Sequence, residues 1–144
     1  MVMGGPRFTI LARIDDLHFI AACPHGVAHL TWEKITLRLA LDELKAISGL
    51  LEQAVTARTT TVMAVEGRGD LCVTWQPPAR CELRVGSAVL RLPPGEFRRL
   101  AALAQEARRR LDDLVASGAW TESEPQEAPP DPFQELRRVL FSRN

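Results

Sequence analysis

Residues 35–54 read ITLRLALDELKAISGLLEQA, and residues 88–107 read AVLRLPPGEFRRLAALAQEA. The second stretch repeats the first at a spacing of fifty-three residues without a gap. Six positions are identical, namely Leu37/Leu90, Arg38/Arg91, Leu39/Leu92, Glu43/Glu96, Leu50/Leu103 and Ala54/Ala107. Self-similarity at a fixed period is the signature of a duplicated structural unit. The sequence therefore predicts two copies of one small fold.

Each copy is predicted to be four strands followed by one helix. Apolar and polar residues alternate in short runs separated by turn residues, and the period then changes to about 3.6 in the quoted stretches. We expect an α+β fold with a ββββα unit at residues 7–57 and another at 59–118. Asp42 or a neighbour is expected to cap the first helix. A unit of about fifty residues is marginal alone, so we expect a pseudo-two-fold arrangement in which the halves complete each other's core.

Alternation also predicts which residues of the first two strands face inward. The apolar positions assigned to the inner face are Phe8, Ile10, Ala12, Ile14, Leu17, Phe19 and Ala21. On the second strand, His18 and Ile20 are assigned to the outer face. All large aromatic residues of the two units (Phe8, Phe19, Trp32, Trp75 and Phe97) are then predicted to point inward, which leaves no outward ring for a ligand to stack on.

The chain after the second unit has a different composition. Residues 119–132 are rich in Glu and Pro, which is typical of a solvated linker. Residues 133–142 follow as a short amphipathic helix, whose apolar side carries Phe133, Leu136, Leu140 and Phe141. A helix of this length is barely stable alone in water. We therefore expect it to dock on a protein partner or on the chain itself through those four residues.

Composition argues against several classes of protein. Eighteen basic and eighteen acidic residues cancel, so no global field would attract nucleic acid or an anionic membrane. No run approaches the length of a membrane span. Three cysteines without paired spacing favour a reducing compartment. We expect a cytoplasmic protein that does not associate with membranes.

Catalytic and metal-binding patterns are weak. Gly67-Arg68-Gly69 fits a hairpin turn rather than a phosphate-binding loop. Cys23, His25 and His29 match no common zinc spacing. We expect no catalytic residue, no cofactor and no metal. A minor alternative is a metal or small-ligand site where His18 and His29 approach each other on the outer face of the first sheet.

The order of elements resembles that of the Whirly, Pur-alpha and PC4 coactivator families. The resemblance covers residues 7 to 115 in topology. The strongest local similarity is the strand that leads into a helix at 35–54 and at 88–107. It implies single-stranded nucleic-acid binding on the sheet face. The outward basic residues that would serve are Arg13, Arg38, Arg84 and Arg91.

Two functions therefore remain open. The preferred interpretation is a non-catalytic adaptor or assembly subunit of a cytoplasmic complex, docking through its C-terminal helix. The alternative is single-stranded nucleic-acid binding by the sheet face.

Overall fold

The computed structural model describes residues 8–119. Beyond its first residue, the predicted linker at 119–132 lies outside this range, as does the predicted helix at 133–142 with Phe133, Leu136, Leu140 and Phe141. The strands of the first half are β1 (Thr9–Asp15), β2 (His18–Cys23), β3 (Val27–Trp32) and β4 (Ile35–Ala40), followed by helix α1 (Leu41–Thr56). Those of the second half are β5 (Thr61–Val65), β6 (Arg68–Gln76), β7 (Arg80–Val85) and β8 (Ala88–Arg91), followed by α2 (Pro94–Ala116).

The strands form two antiparallel sheets of four, ordered β1-β2-β3-β4 and β5-β6-β7-β8. This confirms the expected α+β class. The pairing register also repeats between the sheets. His18 lies opposite Trp32 in the first sheet, and Leu71 lies opposite Val85 fifty-three residues later in the second. The strand-pairing geometry of the two halves thus follows the same spacing as the sequence repeat.

Each helix packs mainly on the sheet of the other half. Helix α1 contacts β5 and β6, whereas α2 contacts β1, and the two helices also contact each other. The helices run antiparallel: Lys45 Nζ lies 3.7 Å from Asp112 Oδ1, and the Gln105 side chain donates to the backbone oxygen of Ser48. The sheets and helices therefore share one hydrophobic core.

The ends of the helices follow simple chemistry. Ala40, rather than Asp42, is the N-cap residue of α1, and the Glu43 carboxylate accepts the Ala40 backbone N–H at 2.8 Å. Helix α2 begins at Pro94, where the missing proline N–H costs no hydrogen bond. Gly118 follows that helix with φ +77°, a conformation that glycine adopts readily.

The core is one continuous cluster contributed by both halves. Its largest fully buried side chains include Trp32 and Ile20 from the first sheet, Leu51 from α1, and Phe97 from α2. The ring of Phe97 lies 5.7 Å from that of Trp75 in β6. Cys81 is buried in the core, as is Ala28 at the equivalent position of the first half.

The predicted faces of β1 and β2 are wrong at several positions. Phe8, Ile10, Ile14 and Leu17 are each more than a third exposed, whereas His18 and Ile20 are buried. Bulges at residues 11 and 14 interrupt the alternation of β1, so the residues on either side of a bulge change faces.

In β2, almost every residue is apolar, so the sequence pattern does not indicate which face of the strand is buried. Pairing with β3 decides it: Ile20 lies opposite the buried Leu30, and Phe19 lies opposite the outward Thr31. Directly opposed residues share a face.

None of the described helices combines the length and the apolar composition that crossing a membrane requires.

Candidate functional sites on the first sheet

The outer face of the first sheet is the side turned away from the buried core. One row of directly opposed residues crosses it from β1 to β4, comprising Arg13, Phe19, Thr31 and Thr36. The two threonine hydroxyl oxygens lie 3.4 Å apart. This row places a half-buried aromatic ring between an edge arginine and a pair of hydroxyl groups.

A second row lies beside the first and comprises Ile10, Ala21, His29 and Arg38. Phe8 packs edge-on against His29 with ring centroids 5.1 Å apart, and it is 51% exposed. Burial, and then the positive charge of Arg38, lower the pKa of His29 below its ordinary value. The imidazole is therefore mainly neutral at neutral pH, and the centre of this face carries no charge.

The expectation that Phe8 and Phe19 point inward is therefore wrong, because both lie on the outer face. Trp32, Trp75 and Phe97 are buried as predicted. We name the outer surface formed by Phe8, Ile10, Phe19, Ala21 and His29 the aromatic face. It is bordered by Arg13 on one edge strand and Arg38 on the other.

The outer face of the second sheet is polar instead. Glu82 occupies the position equivalent to His29 and is buried beneath two arginines. Its Oε2 atom lies 3.1 Å from Arg80 Nε and 2.6 Å from Arg91 Nε. The hydrogen bond from Arg80, followed by that from Arg91, lowers the pKa of Glu82. A shallow cleft beside this carboxylate is lined by Gly69, Cys72, Thr74, Arg80, Glu82 and Arg84.

The four arginines suggested for nucleic-acid binding are divided between the sheets. Arg13 and Arg38 border the aromatic face, whereas Arg84 and Arg91 lie on the outer face of the second sheet. Arg13 pairs with Asp16, and Arg91 pairs with Glu82. Within residues 8–119, no carboxylate forms an ion pair with Arg38. That side chain is the freer cation beside the aromatic face.

The two histidines of the proposed ligand site do not meet. His29 lies on the aromatic face, whereas His18 is on the inner face, opposite Trp32. The His18 and Trp32 rings meet edge to face at 4.4 Å. The expectation that His18 faces solvent is wrong, because its ring packs on Trp32 and its Nδ1 atom has a hydrogen-bond partner in Asp15.

A different group of side chains surrounds His18. Its Nδ1 atom lies 2.7 Å from Asp15 Oδ1, and its Nε2 atom lies 3.5 Å from Glu33 Oε2. Glu96, in the first turn of α2, brings a second carboxylate, and one ligand atom from each of His18, Glu33 and Glu96 lies within 4.8 Å of the others. We call these three residues the His18 cluster. Its donor atoms are of the kind that could hold a metal ion.

Local structure positions each member of the His18 cluster. His18 begins β2, and the hydrogen bond that it makes with Asp15 lowers the pKa of that carboxyl. Glu33 occupies the β3–β4 turn with φ 56°, which is uncommon for a residue with a side chain. Its backbone N–H donates to the Leu17 carbonyl at 2.6 Å. Two hairpins and a helix start therefore converge here.

Sequence reasoning missed Glu33 and Glu96 as partners of His18. The one available signal was the identity of Glu43 and Glu96 at equivalent positions. It did not indicate what either side chain would contact.

Cysteine chemistry finds little support in the geometry. Burial is the main cause that raises the pKa of the Cys81 thiol, which disfavours the reactive thiolate. Cys72 is half-buried on the second sheet, whereas His18 and His29 lie in strands of the first sheet.

Comparison with protein-family models, curated proteins and solved structures returns no match for this chain.

Proposed function

We propose that this protein is a non-catalytic adaptor or assembly subunit of a cytoplasmic complex. Residues 133–142 would form an amphipathic helix that docks on the aromatic face of a second copy of the chain. The observation that carries this proposal is the exposure of large apolar side chains on that face. Phe8 is 51% exposed and Ile10 is 47% exposed, and Phe19 lies half-buried on the neighbouring strand β2. Contiguous apolar surface of this kind favours a protein contact.

The occupant is suggested by the rest of the chain. Residues 133–142 offer Phe133, Leu136, Leu140 and Phe141 as anchors at helical spacing. The fourteen-residue segment 119–132 contains four prolines, and at about 3.1 Å per residue a fully extended segment would span up to about 40 Å. That length is sufficient to reach a neighbouring sheet.

Charge complementarity supports the same occupant. The segment 119–132 carries four acidic side chains and no basic one. Arg38, at the border of the aromatic face, is exposed and forms no ion pair with a carboxylate among the described residues. An acidic linker that passes this edge would gain a favourable charge contact.

The same proposal includes a pseudo-two-fold arrangement of the two units. It is supported by the exchanged helices and by the two equivalent glutamates, since Glu43 pairs with Arg68 at the β5–β6 hairpin while Glu96 approaches His18 at the β1–β2 hairpin. Both glutamates thus reach the first hairpin of the opposite half.

Sedimentation equilibrium of the full chain over a range of concentrations tests the docking. We expect a reversible dimer that dissociates in an Ile10→Asp variant and in a Leu136→Asp variant. Val62→Asp is the matched control, because Val62 is a 63% exposed strand residue on the outer face of the second sheet. A wild-type chain that stays monomeric at several hundred micromolar, or a dimer unaffected by either variant, would refute the proposal.

A second candidate function is favoured by one specific observation. Phe8 and Phe19 are outward aromatic rings beside Arg13 and Arg38. Single-stranded nucleic acid is bound by stacking of bases on such rings next to cations, at about 1–3 kcal/mol per stacked base. The resemblance in element order to single-strand-binding families points the same way.

Fluorescence anisotropy of labelled single-stranded DNA and RNA distinguishes the two functions. Under the second candidate, binding persists at physiological salt, and Phe8→Ala or Arg38→Gln weakens it by tenfold or more. Arg84→Gln is the control on the other sheet and leaves binding on the aromatic face unchanged. Absence of binding at low salt would eliminate the second candidate, because electrostatic attraction to phosphates is strongest there.

A further inference from the structure

We propose that His18, Glu33 and Glu96 bind a single divalent transition-metal ion, with Asp15 orienting the imidazole. The sequence alone led us to expect no metal site. The inference does not depend on the proposed docking function.

The state of His18 is the first step. A carboxylate can only accept a hydrogen bond, so the 2.7 Å contact with Asp15 Oδ1 requires the proton on Nδ1. In the neutral ring, the lone pair is then on Nε2. This atom is buried and has no hydrogen-bond partner in the described structure, and His18 as a whole is only 8% exposed. A carboxylate behind the distal nitrogen of a histidine is the usual support of a metal-ligating imidazole.

The spacing of the donor atoms is the second step. His18 Nε2 lies 3.5 Å from Glu33 Oε2, and the complete set lies within 4.8 Å. Bonds of about 2.0–2.2 Å to a zinc ion place neighbouring ligand atoms roughly 3–4 Å apart. Small side-chain rotations of the two glutamates would therefore bring all three donors onto one ion, with positions left for water.

The two halves of the molecule provide the third step. Glu43 of the first half reaches a cation of the second half, since Arg68 Nη2 lies 2.9 Å from Glu43 Oε2. The equivalent Glu96 has a carboxylate oxygen within 4.8 Å of a His18 ring nitrogen and of a Glu33 carboxylate oxygen. Arg99, one turn along the same helix, donates to Glu96 Oε1 at 3.0 Å, but no arginine or lysine within residues 8–119 forms an ion pair with Glu33.

The Glu33 carboxylate therefore lies beside the buried Nε2 atom of His18 without an arginine or lysine partner among the described residues. A divalent ion bound between His18, Glu33 and Glu96 would supply positive charge to Glu33 and a partner to the Nε2 lone pair.

The donor set indicates the kind of ion. One imidazole nitrogen and two carboxylates suit zinc and the neighbouring first-row ions, whereas calcium and magnesium prefer oxygen donors alone. The ion would join the two hairpins of the first sheet to the start of α2. Its binding should therefore raise the thermal stability of the whole molecule.

Isothermal titration of the chelator-treated full chain with ZnCl₂ is the primary test. We expect one equivalent to bind, and we expect Glu33→Gln or Glu96→Gln to weaken that binding at least tenfold. Glu33 is exposed, so its replacement should not disturb folding. Glu43→Gln is the matched control, since it changes the equivalent glutamate of the other helix and should leave the affinity unchanged.

Two further measurements keep the result specific. Cobalt(II) should give visible absorption bands in the wild type and in His29→Gln but lose them in Glu33→Gln, because His29 lies outside the His18 cluster. Zinc should raise Tm in the wild type and not in Glu33→Gln. The proposal is overturned if no equivalent of zinc binds, or if binding is as tight in Glu33→Gln and Glu96→Gln as in the wild type.

Discussion

A core substitution in α1 should destabilise both sheets together, although α1 belongs to the first half of the chain. Leu51 is fully buried on this helix, which packs on β5, β6 and α2. Leu51→Ala removes buried methyl groups and leaves a cavity that neighbouring side chains fill only in part, at a cost of about 3–4 kcal/mol. With a urea dependence of about 2 kcal/mol per molar, the unfolding midpoint should fall by about 1.5–2 M.

The assay uses one tryptophan in each sheet as a local probe. Trp32 and Trp75 are both 2% exposed. In a Trp120→Phe background, a Trp75→Phe variant reports on the first sheet and a Trp32→Phe variant reports on the second. The two probes should give coincident urea transitions, and Leu51→Ala should shift both by the same amount, because the helices are exchanged and the core is shared.

Gln53→Ala serves as the control, since Gln53 is an exposed residue of the same helix and its loss should change stability by less than about 0.5 kcal/mol. A Leu51→Ala protein in which the Trp75 transition moved while the Trp32 transition stayed in place would refute the shared core. It would show instead that each half unfolds independently.

Three other outcomes follow from the described contacts. Glu82→Gln should lower the free energy of unfolding by about 1–2 kcal/mol at neutral pH. Because the hydrogen bond from Arg80 lowers the pKa of Glu82, this difference from the wild type should be present above the ordinary pKa of 4.5 and vanish as the pH falls through the pKa of the folded state. Urea titrations at several pH values measure it. Arg38→Gln should raise the pKa of His29 towards its ordinary value by removing a nearby positive charge, which NMR titration of the imidazole measures. Gly67→Ala should cost about 1 kcal/mol in thermal or urea unfolding, because φ at this turn is +78°.

The difference between the two outer faces has a functional consequence. The pair His29 and Arg38 in the first sheet corresponds to Glu82 and Arg91 in the second. The second pair neutralises its arginine in an ion pair of 2.6 Å, whereas the first leaves Arg38 beside an apolar surface. Any ligand that uses both apolar contact and positive charge should therefore prefer the first sheet.

Most strands and helices of the fold could be predicted from the local periodicity of the sequence. The alternation at 27–32 and 35–40 and the helical periodicity of the quoted repeats predicted strands and helices close to those observed. The errors in assigning strand faces are confined to β1 and β2. Leu11 lies in a bulge, and almost every residue of β2 is apolar. The alternation of apolar and polar residues therefore could not show which face of these strands is buried, and Phe8 and Phe19 were assigned to the wrong face.

The candidate sites were less accessible. Arg13 and Arg38 were correctly placed outward, but the sequence could not place Arg84 and Arg91 relative to them. The His18 cluster could not be predicted from the sequence, because Glu33 and Glu96 lie on different elements and Glu96 is distant from His18 in the chain. Nothing in the local pattern of either glutamate distinguishes a metal ligand from a solvated carboxylate.

By itself, the sequence determined the spacing of the two units, the order of their elements, and most of the residues that line the core, because these properties depend on periodicity within a few neighbouring residues. Tertiary structure alone decided that α1 covers β5 and β6 while α2 covers β1, that Phe8 and Phe19 face outward, and that Glu96 reaches His18. Those outcomes depend on how separate elements pack against one another. Packing is governed by the burial of whole faces and by strand register, and neither quantity is encoded in any single stretch of the chain.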